Sequence, residues 1–404
     1  MKRLLILLVV LLAACGDDPA GVDIPGLAAA QPRAGAGDVS VATTVRLTFT
    51  ADVQLPPDTA NAVWLERGGT RVAARVSRPA ARVVLLTPAD ILDPAASYIV
   101  RVGAGITGGN GSIPTSSYEF TTGGRAIPSP DGNRLIAHVR ALAHDSMQGR
   151  GSVSPAELKA ATYVRTEFGR YGLATFSGSQ WFQSFTVVGM GNSQNVVGVL
   201  RGEGDLRDEW VVIGAHYDHV GVRNGQIHNG ADDNASGTAG VLELARLLAE
   251  HRTNGGYGSE DRRSIMFIAF GAEELGLVGS NFFCREPLVP LASVSAMINL
   301  DMIGRLQNNS LYVVGENTGQ EWSAMLRRYN ASLNYLPLAD AGTDFRCFKQ
   351  AGRPVMSLFT GLHVDYHKPS DDTELIDVPS FTAIARLALD LAVNTAVRPR
   401  PFTQ

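Results

Sequence analysis

The sequence predicts two folded parts: a small all-β sandwich over 39–123, then a three-layer α/β/α sandwich on a largely parallel mixed sheet over 132–397. Two observations carry this. Short alternating apolar segments recur between 39 and 122, among them 45–49, 63–65, 83–86 and 98–102, separated by Pro, Gly and Asp clusters; such spacing suits an antiparallel sandwich. Beyond Leu135 the period changes, and continuous apolar runs of strand length alternate with segments of helical spacing. Strands of a parallel sheet, buried on both faces, read as such runs. A length of 404 residues accommodates both parts.

The chain opens with Met1-Lys2-Arg3, followed by uninterrupted apolar sequence from Leu4 to Ala14. That run is about half the length a bilayer span needs, so it reads as an export signal. Leu12-Ala13-Ala14-Cys15 resembles the processing site of bacterial lipoproteins, which implies a lipid on Cys15 and, with Gly16 following, anchorage at the outer membrane. Such an anchor attaches an exported body without crossing the membrane. Residues 16–38, rich in Gly, Ala, Asp and Pro, read as a flexible tether. The 39–123 segment resembles bacterial Ig-like domains, most visibly at Leu86-Thr87-Pro88 and Tyr118-Glu119-Phe120-Thr121-Thr122; the likeness implies a spacer ahead of the second part. A Gly/Pro/Ser linker follows at 124–131, and a tail closes the chain at 398–404.

Within 132–397, residues 156–171 place Leu158, Ala161, Val164, Phe168 and Tyr171 on one helical face. The segments 195–200, 210–215, 265–270, 294–300, 311–314 and 355–359 read as buried strands, and 238–249 and 378–394 as helices. A net charge of -4 and the lack of a basic run interleaved with aromatics exclude nucleic acid as a partner. Cys284 and Cys347 show no C-x-x-C spacing and no nucleophile context. In an oxidising compartment they either pair or stay free; spacing alone leaves both states open.

Five residues of metal-ligating type stand past these apolar runs or beside tight loops: His216, Asp233, Glu274, Asp301 and His367. Ligands of a parallel sheet gather beyond the carboxyl ends of its strands. His216 ends one run, and Asp218 two residues on shares its face in a strand, so its carboxylate is placed to orient the imidazole. His219 and His228 read as ordinary loop histidines. Asp233 lies in Gly230-Ala231-Asp232-Asp233-Asn234-Ala235-Ser236-Gly237, where a helix cap competes with a bridging carboxylate as the reading. Glu273 and Glu274 are adjacent at a strand end, so one can bind metal while the other handles a proton. Asp301 puts a charge at the buried end of an apolar strand, which is costly unless paired. His367 lies in Asp365-Tyr366-His367-Lys368-Pro369. Three carboxylates and a hydroxide balance two divalent ions, leaving Glu273 free to accept a proton. The wide gaps exclude a zinc finger, and there is no H-E-x-x-H helix.

Ala215-His216-Tyr217-Asp218, Asp233-Asn234-Ala235-Ser236-Gly237, Ala272-Glu273-Glu274-Leu275-Gly276, Asn299-Leu300-Asp301-Met302 and Asp365-Tyr366-His367 occur in one order. In that order they resemble the two-zinc aminopeptidase family, which includes secreted bacterial leucyl aminopeptidases, glutamate carboxypeptidases and glutaminyl cyclases. The likeness spans 134–397. It implies two zinc ions, one on His216 and Asp301, the other on Glu274 and His367, bridged by Asp233. It also implies Glu273 as the general base toward water and peptides as substrates; Tyr366, next to a ligand, is placed to donate a hydrogen bond to the developing oxyanion. Thr343-Asp344-Phe345 departs from a Ser-Asp-His sequence common in relatives, which concerns the substrate pocket. The expected activity is removal of N-terminal residues. A carboxypeptidase, with Arg305, Arg346 or Arg353 receiving the terminal carboxylate, a glutaminyl cyclase, and a non-catalytic binding protein are the alternatives.

Overall fold

The computed structural model describes residues 24, 26–109, 111–124, 127–253, 261–338, 342–398 and 402. The export signal, Cys15 and the first part of the expected tether lie outside these residues. The described residues form two compact units, one of 24–36, 44–87 and 97–120 and the other of 37–43, 88–96 and 121–402.

The first unit is antiparallel throughout its registered pairings. Val45–Phe49 lies between Leu27–Gln31 and Val83–Pro88 in one four-stranded sheet, and Ser97–Val102 lies between Ser116–Thr121 and Val63–Arg67 in another. Alternate residues such as Val45, Leu47, Phe49, Val63, Leu65, Val100 and Val102 are buried, the period of two that a half-buried strand requires. One expectation is corrected here: residues 27–31, read as tether, form a strand paired to Val45–Phe49. Its hydrogen bonds are made by the backbone, so an Ala-rich edge strand needs no apolar alternation to form.

In the second unit the strands of the large sheet are β1 (Phe182–Val187), β2 (Gly191–Leu200), β3 (Trp210–His216), β4 (Ser264–Phe270), β5 (Val294–Leu300), β6 (Ser310–Val314), β7 (Asn334–Pro337) and β8 (Val355–Phe359). They lie in the order β1-β2-β4-β3-β5-β8-β6-β7. The central β4-β3-β5-β8 are parallel, while β2 pairs with β4, and β6 with β8, in antiparallel fashion. The helices are α1 (Gly132–Leu142), α2 (Pro155–Arg170), α3 (Gly237–Thr253), α4 (Val278–Arg285), α5 (Trp322–Tyr329), α6 (Arg346–Gln350) and α7 (Val378–Val397).

The apolar runs divide by parity. Val211, Ile213, Ile265, Phe267, Ala296 and Ile298 enter a core with α1, α2, α3, α5 and α7. Their neighbours Val212, Met266, Ile268 and Met297 enter a separate core with Phe283 of α4 and Phe348 of α6. A strand covered on both faces has no polar side, which is why alternation is absent from these runs. Cys284 and Cys347 form a disulfide joining α4 to α6, with Cα atoms 6.1 Å apart.

The face expected for α2 is also corrected. Leu158 is exposed, and the buried stripe is Glu157, Ala160, Ala161, Val164, Glu167 and Phe168. Glu157 turns inward because three donors await its carboxylate: the Ser193 hydroxyl at 2.6 Å and the Val153 and Ala272 amides at 2.7 and 3.2 Å. A buried carboxyl group so satisfied overrides the apolar pattern.

Candidate metal centre

His216 is the last residue of β3, and Asp301 follows the last residue of β5 directly. Glu273 and Glu274 stand three and four residues beyond β4, Asp233 lies in the irregular turn Ala231–Ser236 ahead of α3, and His367 lies in the loop after β8. All five expected ligands converge at the carboxyl edge of the central strands. His216 Nε2 is 3.5 Å from both Asp233 Oδ1 and Asp301 Oδ1. His367 Nε2 is 3.0 Å from Asp233 Oδ2 and 3.2 Å from Glu274 Oε1. Asp233 therefore faces two groups, one with each oxygen.

Asp233 Oδ2 is buried yet makes no hydrogen bond, despite the imidazole nitrogen 3.0 Å away. Lone pairs held close but not aimed at one another suit a shared cation between them. Imidazole with carboxylate is the donor set zinc takes, so the residues present fit that ion.

The surrounding hydrogen bonds explain how carboxylates are held so near one another. Asp218 was expected to orient His216 through its carboxylate. Instead β3 ends at His216, and His216 Nδ1 faces the backbone carbonyl of Asp218 at 3.1 Å, whereas the carboxylate is 3.9 Å away. Leaving the strand turns the Asp218 side chain toward the neighbouring loop. There it accepts from the Glu273 amide at 3.0 Å, the Glu274 amide at 3.3 Å and the Ser152 hydroxyl at 2.6 Å. Asp218 thus positions both glutamates.

Asn234 acts similarly: its Nδ2 donates to Leu300 O, and its Oδ1 accepts from the Gly237 and Met302 amides, which ties the Asp233 turn to the chain on both sides of Asp301. Asp371, which in the sequence looks like part of an ordinary turn, is fully buried and accepts from the Asp232 and Asp233 amides at 3.0 to 3.2 Å. The capping of this segment is thus done by a distant aspartate rather than by Asp233 itself. Ala272, Met302 and His367 have φ of 53°, 51° and 56°. Such left-handed backbone at residues other than glycine concentrates where a site dictates chain direction.

Arg150 is a further supporting group that sequence reading did not single out. Fully buried, it donates to the carbonyls of Tyr217, Leu142, Asn229 and Gly230 at 2.6 to 2.9 Å. Burial pushes its guanidinium down to about 10, and Asp233, Asp218, Asp371 and Glu274 oppose that. His219 was also passed over: its Nδ1 is 3.0 Å from Glu274 Oε1 and 3.5 Å from Asp233 Oδ2. The only signal was its place three residues after His216. His228 stays with Gln226 O at 3.2 Å and outside the cluster.

A cavity of about 300 Å³ opens over these groups. The ligands and Glu273 form its floor, Met302, Val314, Leu338, Phe359 and Leu362 its apolar wall, and Tyr366 part of its rim. Burial raises Glu273 well above the ordinary carboxyl value, with Asp344, Asp301 and Asp218 acting in the same sense and His216 against it. Of the three arginines considered for a substrate carboxylate, Arg305 is paired with Asp365 at 2.8 Å and Arg353 donates to Ala292 O. Arg346 alone lines an adjoining cavity, with Glu273 and Glu274.

Residues 195–392 match the family model described as peptidase family M28, and residues 22–122 match that of a bacterial Ig-like domain. Aminopeptidase YwaD of Bacillus subtilis (strain 168) is 31% identical over 199 residues, covering 46% of this chain and 40% of that protein. Leupeptin-inactivating enzyme 1 of Streptomyces exfoliatus is 35% identical over 164 residues, covering 39% of this chain and 34% of that protein. The chain thus spans less than half the length of these two relatives. Among solved structures, BSAP, a zinc aminopeptidase from Bacillus subtilis, superposes with a TM-score of 0.56 at 16% identity, covering 67% of this chain and 96% of that one; this shows the fold. Fold, motif order and sequence match agree in placing residues 195–392 in peptidase family M28, with a bacterial Ig-like domain ahead of them at 22–122.

Proposed function

We propose that the chain is a zinc-dependent aminopeptidase that holds two zinc ions and removes apolar N-terminal residues from peptides. The observation that carries this reading is the pair of donor groups sharing Asp233: His216 and Asp301 on one oxygen, Glu274 and His367 on the other. Zinc bound there supplies Lewis-acid polarisation of the scissile carbonyl.

The protein's own groups do the rest. Glu273, its amide fixed by Asp218 and its Oε2 4.0 Å from His216 Nε2, accepts a proton from the attacking water and passes it to the leaving amine. Tyr366, stacked on the His367 ring at 3.9 Å between centroids, donates a hydrogen bond from its hydroxyl to the developing oxyanion. The apolar wall receives the side chain of the first residue. A carboxypeptidase is disfavoured because two of its three candidate cations are engaged within the fold.

Chelation is expected to abolish hydrolysis of leucyl-anilide, and zinc to restore it. N-acylation of the substrate blocks turnover, while amidation of a peptide's C-terminus leaves it intact. Glu273→Gln lowers kcat by about 10²- to 10⁴-fold with metal content unchanged; near-normal turnover in that variant removes Glu273 from the mechanism.

A further inference from the structure

We propose that His219 is a fourth protein ligand to the metal ion held by Asp233, Glu274 and His367, which makes the two metal positions unequal. One is enclosed by four protein donors; the other, on His216, Asp233 and Asp301, has three. The inference rests on the zinc reading above.

Distances come first. His219 Nδ1 is 3.0 Å from Glu274 Oε1 and 3.5 Å from Asp233 Oδ2, while His367 Nε2 is 3.2 and 3.0 Å from the same two oxygens. Four donors around zinc at tetrahedral angles stand about 3.3 Å apart, given metal–ligand bonds of about 2.0 Å. Four of the six separations among these atoms, those between imidazole and carboxylate, fall near that spacing, and none of the atoms lies more than 4.8 Å from another.

The ring itself is held for this purpose. His219 is fully buried, its ring meets that of His367 edge-on at 5.5 Å, and its Nε2 has no hydrogen-bond partner. Its polar engagement therefore runs through Nδ1 alone. A Cβ on Gly230 would come within 2.5 Å of the imidazole, so the turn leading to Asp233 is pressed against the ring and fixes its orientation. Gly230 also has φ of +59°, which glycine adopts without strain. The same turn thus delivers Asp233 and seats His219.

The donor sets then assign the ions different tasks. A zinc held by four protein ligands would have fewer positions left for water than one held by three, the count found in catalytic sites. The set of three is also the one beside Glu273, whose Oε2 is 4.0 Å from His216 Nε2. The enclosed position fills first and holds its ion more tightly.

Metal-free wild-type protein, His219→Ala and His219→Asn are titrated with Zn²⁺ against a chromophoric chelator, and X-ray absorption at the zinc edge counts imidazole ligands. Circular dichroism of each metal-free protein confirms that it is folded. His219→Asn keeps a polar atom near the Nδ1 position and guards against collapse of the smaller variant. Wild type is expected to bind two ions with three imidazoles between them, from His216, His219 and His367. Each variant shows two imidazoles and weakens one ion by more than about 100-fold, beyond the range of a group that merely supports a ligand, with the other ion within threefold. Unchanged imidazole count with both affinities within tenfold of wild type overturns the role of His219 and leaves the zinc reading standing. A folded wild-type protein that binds no zinc sinks both.

Discussion

The back and the front of the metal centre are built from opposite materials. Behind it, Arg150, Glu157, Asp218, Asn234 and Asp371 are all buried, and each makes at least one hydrogen bond to a backbone group of the ligand-bearing segments. In front, Met302, Val314, Leu338, Phe359 and Leu362 offer hydrocarbon to an open cavity, and Leu362 is 63% exposed. The back fixes where ligands point, because a buried polar network tolerates few alternative arrangements. Leu362, at the open end of this wall, is held by little of the fold and is free to select what enters. Position and preference are thus carried by separate residues, which mutation can pull apart.

The largest effect is expected at the back. Arg150→Met leaves three buried carbonyls and one partly buried carbonyl without their donor and should cost about 4 kcal/mol or more of unfolding free energy, measured by denaturant titration of metal-free protein. A loss below about 1 kcal/mol would show that the carbonyls find other partners and that the back is less rigid than its hydrogen bonds imply.

Glu157 gives a pH-dependent test of the same network. Burial, with Asp218 nearby, raises its carboxyl from 4.5 to about 7. Between those values the folded state binds more protons than the unfolded one, so stability is fully present below the unfolded value and declines as pH rises through the folded one. The slope is at most about 1.4 kcal/mol per pH unit. Glu157→Gln should remove that slope between pH 4.5 and 7; parallel curves for the two proteins would place the group elsewhere than in the buried network.

The smallest effect belongs to the front. Leu362→Ala should leave unfolding free energy within about 0.5 kcal/mol of wild type. It should nevertheless reduce the kcat/KM preference for leucyl over alanyl substrates by about 1 kcal/mol, or roughly fivefold. Equal loss for both substrates would mean that the wall contributes to folding or to general binding rather than to selection.

What could be read from the sequence follows the same division. The central strands were legible because each is an apolar run too long for a half-buried strand, and the five ligands because each interrupts such a run or the loop beyond it. Leu27–Gln31 was not, since an Ala-rich edge strand is held by its backbone alone. Leu158 was assigned to the wrong side of α2 because a buried Glu157 looks, in sequence, like any surface glutamate. Arg150 and Asp371 were missed for that reason: their partners are amides and carbonyls, which every residue carries and no residue type announces. Asp218 was recognised, but its task was misjudged when the strand was extended past His216.

The disulfide between Cys284 and Cys347 closes a stretch of 63 residues. It joins the helix that follows the two glutamates to the one that follows Thr343, both segments bordering the cavity. Removing such a link commonly costs about 4 kcal/mol for a loop of that size, and thiols pair durably only in oxidising surroundings. Two stretches that are far apart in the sequence thus share one covalent tie beside the cavity, and the span between them is a single closed loop.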